Sequence, residues 1–253
     1  SKNARIFYQE FINRLVGVDF EVISKGDMST LFQDFIKSYR YLINHFKYSR
    51  PEFFSAVDKK LKFLIANKFP PERVEEVFSV ITTSSEFDKI NEEEIDFLNL
   101  VKIRDFSKEK ILGHAKKYGF LFFNTYSEDE ALSYLSQKII EIQKLSLQEI
   151  ENKIQSIRAE KKNLIVKQEE IYSQLDNEAR FISGLFQRSA IDRLELKSCW
   201  AALEFNSLPL LSKIAFLSEL STWEFLSVYF PLEVIDLIEN GVKVTEEEIE
   251  KRK

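Results

Sequence analysis

The stretch from Ser146 to Ala202 constrains this chain more than any other. Its apolar residues Leu147, Ile150, Ile154, Ile157, Leu164, Ile171, Leu175, Ile182 and Leu185 follow one another by three, four or seven positions. That is the spacing of one seam along an α-helix, and nothing in the stretch reads as a strand. As a single rod it would reach on the order of 80 Å, too long for a lone helix in a compact domain, so it either folds back or projects as a coiled coil. Asp176-Asn177 is the weak point, since both are poor helix-interior residues and good caps, and Glu178-Ala179 restarts a helical pattern behind them. The expectation is an antiparallel helical hairpin, Ser146 to Leu175 and then Asn177 onward, with a kink at Pro209 before Leu211, Ile214, Ala215 and Leu217.

The rest of the chain repeats helical patterning. Ile6, Phe7, Phe11, Ile12, Leu15 and Val16 share a face that Gly17 ends, and Val18 to Asp27 reads as a linker. A helix starting near Ser29 carries an aromatic stripe of Phe32, Phe35, Tyr39 and Phe46, whose simplest role is core packing. Pro51 marks the next start, and Pro70-Pro71 opens a short helix from Glu72 to Phe78. Val80 to Asn91 is irregular, after which Asn91-Glu92-Glu93-Glu94 caps a helix through Leu100. Ser107 opens a helix through Lys117 that ends at Tyr118-Gly119, with Gly119 in a left-handed cap. Phe120 to Tyr126 is either a short strand or a buried loop. Ser127 to Glu130 and Ser146 to Glu149 are capping boxes, the first opening a helix from Ala131 to Leu145. Three small helical pieces close the chain: one capped by Ser221 to Glu224, one from Pro231 to Gly241, and one capped by Thr245 to Glu248. The fold class is therefore all-α, a multi-helix domain with a long antiparallel hairpin and little or no β-structure. Its segments are an N-terminal helical part (1–145), the hairpin (146–220) and the small C-terminal helices (221–253), in one continuous helical domain.

Composition removes several function classes. Six Gly and five Pro in 253 residues leave no phosphate-cradling glycine loop. A formal net charge of −5, with no basic run longer than Lys161-Lys162 before the final Lys251-Arg252-Lys253, disfavours nucleic acid as a partner. One cysteine, Cys199, excludes an intrachain disulfide and a cysteine-rich zinc site and fits a cytoplasmic location. No window reaches the roughly 18 apolar residues of a membrane helix, so no membrane is expected.

Little in the chain announces chemistry. His45 and His114 exhaust the histidines, and no second histidine stands at metal-ligand spacing to either. The acids Glu92 to Glu94 read as helix-terminal charges rather than as a metal site. No catalytic residue, metal or cofactor is assigned to the chain. Candidate substrate-binding residues are His114 and Tyr118, one turn apart beside the aromatic run, with Tyr126 at the end of that run. Arg188 and Asp192 are the others, one turn apart on the second hairpin arm. They read as an i,i+4 ion pair or, for Arg188, as an anion fork.

The C-terminal run Leu210-Leu211-Ser212-Lys213-Ile214-Ala215-Phe216-Leu217, Leu220-Ser221-Thr222-Trp223-Glu224-Phe225-Leu226, Tyr229-Phe230-Pro231-Leu232-Glu233-Val234-Ile235 and Leu237-Ile238-Glu239-Asn240-Gly241, ending Glu248-Ile249-Glu250-Lys251-Arg252, carries a likeness. It resembles the helical central region of phosphoenolpyruvate-utilising enzyme relatives, the phosphoenolpyruvate synthase-like and rifampicin phosphotransferase-like proteins. His114-Ala115-Lys116-Lys117-Tyr118-Gly119-Phe120-Leu121 and Ile95-Asp96-Phe97-Leu98 are similar to the same family in pattern, and the likeness spans residues 30–253 in order and spacing. It implies a helical part lying between an ATP-grasp domain and a swivelling phosphohistidine domain, which are then the partners. Such a part holds a small-molecule acceptor or spaces and docks the moving domain. The family's relay histidine sits in a Gly/Thr-Ser-His context that neither His45 nor His114 matches, and the Gly-rich elements of an ATP-grasp are missing. The resemblance thus implies a substrate-binding or linker domain, non-catalytic by itself and excised from a longer parent before its mostly β domain. The alternative is a helical scaffold that dimerises or binds protein partners through the long hairpin.

Overall fold

The computed structural model describes residues 2–48, 54–122 and 128–253. They form twelve α-helices and no strand: α1 (Lys2–Leu15), α2 (Lys25–Tyr48), α3 (Ser55–Ala66), α4 (Val74–Thr82), α5 (Lys89–Ile103), α6 (Lys108–Tyr118), α7 (Glu128–Ile142), α8 (Leu147–Tyr172), α9 (Asn177–Ser218), α10 (Thr222–Val228), α11 (Pro231–Asn240) and α12 (Glu246–Arg252). The all-α class follows. The readings of Pro51, of Ser127 as a cap and of the run's end at 123–126 lie outside the described residues. No helix is long and apolar enough to cross a membrane among the described residues.

The chain divides into two compact units. One comprises α3 to α8 with the first half of α9; the other comprises α1, most of α2, the second half of α9 and α10 to α12.

The first unit has two apolar cores, and α8 serves both. Ile150 and Ile154 at its start pack with Phe97, Leu98 and Val101 of α5, Ile111 and Ala115 of α6, and Ala131, Leu135 and Ile139 of α7. Ile171 near its end packs with Leu61, Leu64 and Ile65 of α3, Val77 and Ile81 of α4, and Leu175, Ala179 and Ile182 beyond the turn. Between Ile154 and Gln168 no α8 residue is fully buried; Ile157 and Leu164 are half-buried. α8 is therefore engaged near each of its ends, while the seam's outermost members Leu147 and Leu185 are exposed.

Ser146 is the expected capping box: its hydroxyl accepts from the Glu149 backbone N–H, and the Glu149 carboxylate accepts from the Ser146 N–H at 2.7 Å. The break after α8 falls at the expected place, where Asp176 Oδ1 accepts from the Ala179 N–H at 2.8 Å. Gln168 sits buried on the seam because its amide is used: Nε2 donates to the carbonyls of Val80 and Thr83 at 2.8 and 2.7 Å. Gln187 from α9 donates to the Ile81 carbonyl at 2.8 Å. Side chains of α8 and α9 thus satisfy carbonyls at the end of α4 that have no partner within the helix.

Several boundaries differ from those read in the sequence. α2 starts at Lys25 rather than Ser29, with Ser24 accepting from the Asp27 N–H at 3.1 Å. Pro71–Arg73 forms a 3₁₀ turn before α4, which continues to Thr82. α7 ends at Ile142 rather than Leu145. Gly119 has φ −55°, not the left-handed cap, and the chain tightens there into a 3₁₀ turn over Gly119–Leu121 instead of turning away. As expected, α9 continues past Pro209, to Ser218.

In the second unit Phe11, Phe32, Phe35 and Leu42 from α1 and α2 are buried, as are Leu203, Leu210 and Ile214 from α9 and Phe225, Val228, Val234, Leu237 and Ile238 from α10 and α11. Phe35 packs with Phe11 and Phe32, 6.2 Å from each ring centroid, so Phe32 and Phe35 of the aromatic stripe are core, while Tyr39 and Phe46 are half-buried. The three closing helices have the expected caps. Ser221 and Glu224 form a capping box, Pro231 is the first residue of α11, Gly241 ends it with φ +73°, and Thr245 accepts from the Glu248 N–H at 3.3 Å. At Gly241 a Cβ would be strained by the left-handed backbone alone.

Candidate functional site

The densest buried polar cluster lies in the first unit, on facing sides of α5 and α6. α5 is started by Asp88, whose Oδ1 accepts from the N–H groups of Ile90 and Asn91 at 3.0 and 2.9 Å. The cap is thus three residues before the one expected at Asn91, because an aspartate needs only the next two backbone donors and no acid cluster behind it. With α5 started at Lys89, Glu93 lies past the first turn and faces inward with Phe97, and Asp96 stands beside them at the edge of the buried face. On α6 the buried residues are Ile111, His114, Ala115 and Tyr118.

Glu93 is 3 % exposed and His114 8 %. His114 Nε2 lies 3.0 Å from Glu93 Oε1, and Lys138 Nζ, arriving from α7, donates to the same oxygen at 3.1 Å. Burial pushes the Glu93 carboxyl up, but the His114 hydrogen bond and the Lys138 charge outweigh it and hold the group below its ordinary value. Glu93 is therefore a carboxylate near neutral pH, which can only accept, so His114 Nε2 carries the proton and donates it. The Lys138 ammonium also lies over the Phe97 ring at 4.3 Å and the Phe122 ring at 5.0 Å.

One turn along both helices a second pair repeats the arrangement. Tyr118 Oη and Lys117 Nζ each donate to Asp96 Oδ2 at 2.6 Å. Burial, and then the hydrogen bond to Asp96, push the Tyr118 phenol up to about 12. Burial acts to raise the Asp96 carboxyl, but the bonds from Lys117 and Tyr118 prevail and lower it. The His114 ring packs at a tilt against Tyr118 and Phe97, with ring centroids 5.0 and 5.5 Å apart.

This geometry fixes helices more readily than it turns over a substrate. A Glu–His pair can orient a general base, but here Nε2 is the nitrogen bound to Glu93 and the ring is buried against Phe97 and Tyr118. The cluster ties α5, α6 and α7 into one register through two carboxylates and their donors. A Tyr118→Phe variant is expected to lose about 1 kcal/mol, the net value of one hydrogen bond, with more if Asp96 is left under-satisfied. Urea unfolding of the two proteins measures it, and equal midpoints would contradict the account.

The sequence candidates separate. His114 and Tyr118 are brought together as expected, though as buried packing residues. Arg188 is exposed and Asp192 half-buried on α9, and neither belongs to the buried cluster; Tyr126 lies outside the described residues. Glu93, Asp96 and Lys138 carry the electrostatics and were not among the candidates. A signal existed: Glu93 stands four before Phe97 and five before Leu98, in phase with an apolar face. Among the described residues no group of three His, Cys, Asp or Glu side chains could hold a metal ion. Comparison of the chain with protein-family models, with curated proteins and with solved structures finds no match in any of the three.

Proposed function

We propose that this chain is the helical, non-catalytic part of a phosphoenolpyruvate synthase-like phosphotransferase, holding a small-molecule acceptor or docking the swivelling phosphohistidine domain. The observation that carries the reading is the ordered run from Leu210 to Gly241 with Glu248 to Arg252. The residues of that run have work to do in the fold, which supports treating the pattern as a unit. Arg252 reaches back from α12 to donate to both Glu233 oxygens at 2.7 and 2.9 Å and to the Val228 carbonyl at 2.6 Å. Tyr229 Oη accepts from the Val244 N–H at 3.1 Å, holding the segment between α11 and α12. The same run leaves Phe216, Trp223 and Phe230 largely exposed, apolar side chains available to an adjoining domain.

In this reading phosphoryl transfer belongs to the ATP-grasp and phosphohistidine domains of the parent, no cofactor is held by the chain, and the parent works in the reducing cytoplasm. The coding sequence on either side tests it. An ATP-grasp upstream and a Thr/Ser-His loop downstream are expected, and the absence of both would remove the reading.

A second reading, a scaffold that self-associates through α8 and α9, is favoured by Phe181 and Leu185, exposed one turn apart at the start of α9. It expects a dimer in light scattering that Phe181→Asp dissociates, whereas the first reading expects the same mass for both proteins.

A further inference from the structure

Within the second unit a groove of about 320 Å³ runs between α2 and α11. Its floor is Phe32 and Ile36, one turn apart on α2. One wall is apolar, made by Pro231, Leu232 and Ile235; the other is polar, made by Gln33, Lys37 and Arg40. Leu232 is 79 % exposed, so its side chain is open to an incoming partner. Gln33, Lys37 and Arg40 fall on one exposed stripe of α2 that is about 10 Å long, two helical turns.

The helices that frame the groove are tied together, and the charged residues of its lining are both cations. Gln33 Nε2 donates to Ser29 Oγ at 3.2 Å, and Ser29 Oγ donates to Glu239 of α11 at 2.6 Å, which ties the two helices together. The acids nearest in sequence are engaged elsewhere: Asp34 with Arg14, Glu233 with Arg252, Asp236 with Asn240. Lys37 is steadied over the Phe7 ring at 5.6 Å, and neither Lys37 nor Arg40 forms an ion pair with a described residue. In a chain of net charge −5, two cations without a carboxylate beside an apolar trough form a local exception.

We propose that this groove receives an acidic amphipathic helix of a partner protein. Two apolar side chains one turn apart sit between Phe32, Ile36, Leu232 and Ile235, while carboxylates on the same helix meet Lys37 and Arg40. The volume lies at the small end of ligand sites, enough for a pair of side chains, and Lys37 and Arg40, three residues apart, match the i, i+3 spacing of helical acids. The proposal stands on charge complementarity and does not depend on the phosphotransferase reading.

The test is fluorescence anisotropy with a labelled peptide of about 15 residues built from Leu, Ala and Glu at helical spacing. Its controls carry Lys in place of Glu, or the same residues scrambled. The acidic amphipathic peptide is expected to bind, the other two to bind at least about tenfold more weakly, and salt to weaken the complex. Leu232→Asp, and Lys37→Glu combined with Arg40→Glu, should each weaken binding about tenfold or more, with circular-dichroism melting confirming that these exposed substitutions leave the fold intact. No binding, equal binding of the lysine or scrambled peptide, or unchanged affinity in both variants would overturn the proposal. So would sedimentation showing that the groove pairs two copies of this chain, through a dimer that Leu232→Asp dissolves.

Discussion

Glu93→Ala lowers the stability of the α5–α7 core by about 3 kcal/mol at neutral pH, the low end for breaking a buried pair, because Lys138 is 28 % exposed and can recover water. The variant leaves the Lys138 ammonium and the His114 N–H without their shared acceptor. Glu93→Gln keeps an acceptor for His114 but no charge for Lys138, so a smaller loss is expected. The pH dependence follows from the depressed carboxyl. Its contribution is fully present above the unfolded-state value near 4.5 and is lost as pH falls through the lower folded value. Urea unfolding of wild type and Glu93→Gln should therefore show a gap at pH 7 that narrows as pH falls below the unfolded-state value and closes once the folded carboxyl is protonated. An equal midpoint at pH 7, or a gap unchanged in acid, would mean that the carboxylate is not what ties the three helices.

The second large effect concerns α8. Ile154→Ala and Ile171→Ala each remove a branched side chain from a packed core and should each cost about 2–5 kcal/mol. The positions are roughly 25 Å apart along the helix and share no core, so the losses should add within about 0.5 kcal/mol. Hydrogen exchange should separate them further. Ile154→Ala should expose the amides of α5 to α7, and Ile171→Ala those of α3 and α4. The same pattern of loosening in both variants would show one cooperative core instead of two hung on a shared helix.

The elements most legible in the sequence were those whose signals are local. Ser146 and Ser221 each stand three before a glutamate, Pro231 and Gly241 bracket α11, and Asp176 interrupts the long stretch; each acts through backbone groups within a few residues. What escaped depended on distant partners. The long seam has the same spacing throughout, yet Ile150 to Ile157 meet one core, Ile171 to Ile182 another, and Leu147 and Leu185 neither, because burial is decided by where α3 to α7 lie and not by α8 itself. Gln168 looks like a surface residue until the end of α4 is placed beside it.

The candidate site was half legible for the same reason. His114 and Tyr118 were visible as a polar pair one turn apart, but their meaning comes from Glu93 and Asp96 on the preceding helix and Lys138 on the following one. Glu93 was read as a helix-terminal charge because three consecutive acids suit a first turn. Moving the helix start to Asp88 turns one of the three inward and leaves its neighbours Glu92 and Glu94 nearer the surface.

If the chain is the non-catalytic helical part proposed above, it takes no phosphoryl group itself. Incubation with ATP labelled at the γ-phosphate, and separately with labelled phosphoenolpyruvate, followed by alkaline electrophoresis that preserves phosphohistidine, tests it directly. The account predicts no label on the chain from either donor. Label on the wild-type chain that disappears in His114→Ala or His45→Ala would contradict it and make the histidine concerned a phosphoryl carrier.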